Sequence, residues 1–119
     1  APDHVIVVDP TLVEAIDVTD GLKAGGRILI NSDKPAEHFK FPDKFKVTTI
    51  DATKIAVANK LGSLAAPIVN TAIVGAVIRV FGFAKLESLL GAIAEAIAIK
   101  PEANQKAAAE AYEAAGAIV

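Results

Sequence analysis

Cysteine is absent from the 119 residues, and histidine occurs only at His4 and His38. A chain without thiolates holds no disulfide, no thiolate-ligated iron–sulfur cluster and no zinc finger, and two isolated histidines do not make a ligand set. No metal site is expected in this chain. Positive charge is not in excess either: 12 Lys and Arg stand against 14 Asp and Glu, a net charge of -2. The lysines are scattered, so no field draws a phosphate backbone, and nucleic acid is not an expected partner. The opening residues Ala1-Pro2-Asp3-His4 have neither the basic start nor the apolar run of an export signal, which makes the cytoplasm the expected location.

Three catalytic or binding signatures are also missing. Gly21, Gly25 and Gly26 do not follow a strand with G-x-G-x-x-G spacing, so a phosphate-cradling loop has no support, and the glycines read as turn residues. The serines are Ser32, Ser63 and Ser88, and none has a base that the sequence places beside it, so no residue is assigned as catalytic. Between Lys34 and Phe45, bases alternate with aromatics as in single-strand binders. Pro35, Pro42 and nearby acids instead favour a surface connector with its Phe side chains tucked beneath.

What is present is apolar: 53% of residues are hydrophobic and 22% charged, enough to bury one continuous core in a chain of one-domain size. Val5–Val8 is a β-branched run suited to a strand buried on both faces, followed by Asp9-Pro10-Thr11 as a helix start. A short helix over Leu12–Ile16, a helical turn within Val18–Ala24 and a second strand, Arg27–Ile30 closed by Asn31-Ser32, come next. Phe45–Ile50 alternates apolar and polar residues, which predicts a third strand with a wetter face near the sheet edge. Asp51 is the expected cap of the following helix and Gly62 its left-handed stop.

Pro67 is expected to open a helix running to Phe81, with Gly82 as its end. Ala65–Phe83 approaches the length of a membrane span, but Asn70, Thr71 and Arg79 interrupt it, and a bilayer needs about 20 nearly unbroken apolar residues. It reads as a buried helix. Leu86, Leu89, Leu90, Ile93 and Ile97 then form one stripe at three- and four-residue steps, and Pro101 opens an Ala-rich helix over Glu102–Ala115, stopped by Gly116.

Strands alternating with helices predict an α/β, Rossmann-like three-layer unit: a small, mainly parallel sheet with strands near 4–8, 26–31 and 45–50, and a helical C-terminal half. Three strands leave two open edges, so the chain is expected to be incomplete or to depend on a partner. In open α/β sheets ligands sit beyond the carboxyl ends of the strands, which makes Asp9, Thr11 and Asn31 the crevice candidates. Asp9-Pro10-Thr11 equally serves as an ordinary helix cap. Asn70 and Thr71, polar within an apolar helix, need hydrogen-bond partners inside the chain or on a neighbour. Gly75 asks for a close backbone or bulky side chain; these three are the interface or packing candidates.

The chain resembles the gamma subunit, or gamma domain, of the 2-oxoacid:ferredoxin oxidoreductases, the pyruvate synthase group. The likeness runs through Val5 to Leu12, Val18-Thr19-Asp20-Gly21-Leu22, Ile28 to Asn31, Asp51-Ala52-Thr53-Lys54-Ile55-Ala56 and Leu61-Gly62. It continues through Asn70-Thr71, Gly75-Ala76, Leu86 to Leu89, Glu102 and Asn104. The resemblance implies a Rossmann-like unit assembled with alpha, beta and delta subunits. That complex converts a 2-oxoacid, pyruvate foremost, and coenzyme A to acyl-CoA and carbon dioxide, and reduces ferredoxin.

Thiamine diphosphate and the iron–sulfur clusters are implied in the partner subunits, and coenzyme A near the assembled site; the role implied for this piece is structural. Relatives usually begin with a strand and a glycine-rich turn that this chain lacks, so the likeness covers roughly the C-terminal two-thirds of a gamma domain. Relatives also often carry Phe and then Gly where this chain has Ala108 and Ala111. The rival reading is a stand-alone, doubly wound nucleotide- or coenzyme A-binding module, motivated by Asp9-Pro10-Thr11 at a strand end.

Overall fold

Three short aliphatic runs form the sheet in the computed structural model, which describes residues 3–63 and 67–118. Strands β1 (His4–Val7), β2 (Arg27–Asn31) and β3 (Lys46–Ile50) pair in parallel in the order β1-β2-β3. Helices α1 (Leu12–Ala15), α2 (Ala52–Ala58), α3 (Asn70–Phe81), α4 (Leu86–Ala96) and α5 (Pro101–Ile118) complete the chain, with a 3-10 turn at Ala36–His38. Ala1, Pro2, Ala65 and Ala66, which entered the expectations, lie outside the described residues.

Strand alternation divides the core in two. Val5 and Val7 stand opposite Ile28 and Ile30, and this face packs with Leu22 and Phe45 beneath the connector, where Phe39 and Phe41 are half-buried. The opposite face carries Leu29 and Ile50 against α2, α3 and α5. Ile28, Leu29 and Ile30 are fully buried, each worth about 1.5–3 kcal/mol against exposure. β2 therefore anchors both layers.

The covering helices pack closely because small residues face each other. Ala72, Gly75 and Ala76 of α3 meet Ala107, Ala108 and Ala111 of α5, all buried. Arg27 reaches from β2 to donate to the carbonyl of Val80, near the left-handed Gly82 that ends α3. The His4 ring stacks on Phe81, with centroids 4.4 Å apart and planes 14° from parallel. These contacts tie the foot of α3 to the sheet.

Several boundaries differ from the sequence expectation. Pro67 does not open a helix: it pairs with Gly62 in an isolated antiparallel bridge, and Ile68 N–H donates to Leu61 O at 3.0 Å. That pairing holds the segment extended, so α3 starts at Asn70. Helix α2 ends four residues before Gly62. Lys60, at φ 58, takes the left-handed position, while Lys60 N–H donates to Val57 O and Leu61 N–H to Ala56 O. This double bond pattern is what satisfies the last carbonyls of a helix.

Gly116 does not stop α5, which runs through it to Ile118. A Cβ there would meet Arg79 Nε at 2.6 Å, so the glycine makes room for a side chain. Val18–Ala24 forms hydrogen-bonded turns and no helix, closed by Leu22 N–H on Thr19 O at 2.8 Å. β3 does lie at an edge, but Thr48 and Thr49 are buried, because helices cover one face and the connector the other. Of the predicted α4 stripe only Ile93 is buried. No helix among the described residues is long and apolar enough to cross a membrane.

Candidate functional site

The carboxyl ends of the three strands meet at Asn31, the last residue of β2 and only 7% exposed. Its Oδ1 accepts from Ala52 N–H at 3.0 Å, while Nδ2 donates to Val8 O and to Thr53 Oγ1, both at 3.1 Å. One side chain thus joins the end of β1 to the start of α2. Asp51 caps that helix, accepting from Lys54 N–H at 2.9 Å.

Beside Asn31 lies an open cleft of about 370 Å³, lined by Pro10, Ser32, Asp33, Asp51, Thr53 and Lys54 as well. Asp9 and Thr11 stay outside it. Asp9 Oδ1 accepts from Thr11 Oγ1 at 2.7 Å and Thr11 N–H at 3.0 Å, a local turn that starts the chain toward α1. The Thr11 hydroxyl, and then its amide, hold the Asp9 carboxyl below its usual range. Asp17 and Thr19 repeat the motif at the same 2.7 and 3.0 Å, and the Asp17 carboxyl is lowered by the same causes. Recurrence away from the cleft marks this motif as a general turn device.

Thr11 lines a neighbouring depression with Glu14, Ser32 and His38. Among the described residues no hydrogen bond joins Ser32 to His38; the Ser32 hydroxyl accepts from Lys34 N–H at 3.0 Å. No group of three His, Cys, Asp or Glu residues able to hold a metal occurs among the described residues. What the cleft offers is a polar surface with two carboxylates and one ammonium.

Asn70, Thr71 and Gly75 are elsewhere. Asn70 Oδ1 accepts from Thr71 N–H at 2.9 Å at the start of α3, and Thr71 is buried. Both line a second, mostly aliphatic pocket of about 510 Å³, together with Leu61, Ile97, Lys100 and Asn104. Gly75 lies against α5, where an added Cβ would fall 2.0 Å from Ala108 O.

Thr53 and Asn104 were not singled out as site residues from the sequence. Thr53 sits in the Asp-x-Thr pattern that also occurs at Asp9 and Asp17, and that repeat was the available signal. For Asn104 the signal was a lone amide in an Ala-rich helix.

A small parallel sheet with open edges, helices packed on it and a cleft at the carboxyl ends of its strands defines an open α/β module. The chain belongs to the pyruvate ferredoxin/flavodoxin oxidoreductase family, whose model matches residues 1–114. It is 45% identical over 115 residues to the pyruvate/ketoisovalerate oxidoreductases common subunit gamma of Thermococcus kodakarensis, covering 93% of this chain and 60% of that protein. Against the pyruvate synthase subunit PorC of Methanocaldococcus jannaschii the identity is 45% over 112 residues, with 93% and 58% covered. The crystal structure of the pyruvate oxidoreductase subunit PORC of Thermotoga maritima superposes with a TM-score of 0.76 at 32% identity, over 94% of this chain and 62% of that one. The chain thus spans about 60% of the length of the curated relatives it matches.

Proposed function

We propose that this chain is the gamma-type component of a 2-oxoacid:ferredoxin oxidoreductase, with a structural and not a catalytic part in the reaction. The complex oxidatively decarboxylates a 2-oxoacid, pyruvate foremost, with coenzyme A to acyl-CoA and carbon dioxide, and reduces ferredoxin. Alpha, beta and delta subunits are the partners, thiamine diphosphate and the iron–sulfur clusters belong to them, and the complex works in the cytoplasm.

One observation carries the structural role: all three hydrogen bonds of Asn31, the buried polar side chain at the cleft, are spent within the chain. A group that holds β1 to α2 in this way is framework, and the cleft's remaining polar groups lie on an open surface. The outer edge of β1 is unpaired among the described residues, with Ile6 44% and Val8 47% exposed beside it. That edge supports a larger gamma-type domain in which a further strand pairs with β1.

Co-expression tests the proposal. Tagged alpha and beta subunits from the same source are expected to retain the full polypeptide containing this chain through size exclusion, and its omission is expected to abolish 2-oxoacid-dependent dye reduction. Assembly and full activity without it would refute the role.

A further inference from the structure

Where the α2–α3 connection and the start of α3 meet the α4–α5 connection, the chain builds a concavity of about 510 Å³. Leu61, Ile68, Ile97 and Ile99 give it aliphatic walls, while Lys100 and Asn104 stand among the few polar groups. A volume in this range with mostly apolar walls and few polar groups is the make-up of a small-molecule site.

Asn104 supplies the informative atom. It is 7% exposed, in the first turn of α5, and its Nδ2 donates to Ile99 O at 3.3 Å and Lys100 O at 2.9 Å. Carbonyls only accept, so these two contacts settle which end of the amide is nitrogen, and Oδ1 is left over. Neither of these two hydrogen bonds uses that Oδ1. Lys100 lines the same pocket, and its ammonium uses one of its three hydrogens on Lys60 O at 2.7 Å and keeps two.

The geometry points to a ligand that joins an aliphatic portion to an amide group. The amide N–H donates to Asn104 Oδ1, the amide carbonyl accepts from the Lys100 ammonium, and the chain lies along Ile68, Ile97 and Ile99. A carboxylate satisfies Lys100 but sets its lone pairs against Asn104 Oδ1. An amine satisfies Asn104 but, once protonated, meets the Lys100 charge. Of these three, the amide alone complements both groups, and nothing in this site depends on the assembly proposed above.

Methyl-labelled isoleucine in the full chain provides the readout, with hexanamide, hexanoate and hexylamine as probes. Saturable shifts of the Ile68, Ile97 and Ile99 methyls are expected with hexanamide, and about tenfold weaker binding with each of the other two, the scale of one lost polar match. Ala98→Trp, at the pocket rim, is expected to abolish the shifts while the far-ultraviolet dichroism stays unchanged. Asn104→Leu is expected to weaken hexanamide by about tenfold and leave hexanoate no weaker. Absence of saturation with hexanamide, equal affinity for the three probes, or unchanged binding in Ala98→Trp would each overturn the assignment.

Discussion

A Cβ built on Gly75 falls 2.0 Å from the carbonyl oxygen of Ala108, with the Ala108 Cα 2.9 Å away. Backbone and not a flexible side chain occupies the space, so α3 and α5 must separate to admit even a methyl group. Gly75→Ala is therefore expected to lower stability by about 1–3 kcal/mol, the usual cost of overpacking. Gly91, exposed within α4 and with nothing within 4 Å of its added Cβ, is the control. There the same change is expected to raise stability by about 0.5–1 kcal/mol through helix propensity. Urea unfolding of both variants reads the two signs, and a shared sign would refute the packing account.

Asn31→Ala removes three hydrogen bonds and leaves the buried Ala52 N–H without its acceptor. A loss of about 2–3 kcal/mol is expected, because an abandoned buried donor carries its full desolvation cost. Thr53→Val deletes only the bond from Asn31 Nδ2 and is expected to cost about 1 kcal/mol. Chemical denaturation distinguishes them; equal losses would mean that Asn31 does not hold β1 to α2.

Two strands were legible in the sequence because a buried parallel strand writes its own signature, an aliphatic run ended by Asp or Asn, and the third, Phe45–Ile50, through its apolar–polar alternation. Asp51 and Gly82 mark helix ends as expected, but other ends were not legible, since distant partners set them. Pro67 carries a helix-start signal, yet the bridge to Gly62 holds it extended. Gly116 carries a stop signal, yet the Arg79 side chain occupies the space beside it and α5 continues. Asn31 could be placed at a strand end, but its bonding partners lie 21 to 23 residues away in the chain. Periodicity does not report such distances. The demand of Gly75 for a close neighbour was readable; that the neighbour is Ala108 required the fold.

Asp9 and Asp17 give the chain an acid-sensitive pair. Each carboxyl is held below its ordinary value of 3.8 by the threonine hydroxyl two residues on, and then by that residue's amide. A depressed folded-state value contributes stability that is complete above the unfolded value and is lost as pH falls through the folded one. The window therefore lies below 3.8. Carboxyl-carbon NMR titration is expected to place both midpoints under 3.8 and to move Asp9 upward in Thr11→Val. A Thr11→Val midpoint unchanged from the parent would remove the hydroxyl as the cause.

His4 stacks on Phe81 with its Nδ1 buried and without a hydrogen-bond partner among the described residues. Phe83 approaches the same ring at 5.7 Å, so the site is aromatic on two sides. A buried polar atom in such surroundings forfeits its hydration, and an apolar aromatic ring in its place removes that loss while the stacking remains. His4→Phe is thus expected to raise stability by about 1 kcal/mol, whereas His4→Ala is expected to lower it as the ring contact disappears. Equilibrium unfolding at pH 8 measures both. A destabilised His4→Phe would mean that Nδ1 is satisfied in solution, and the imidazole would then be bonded and not merely packed.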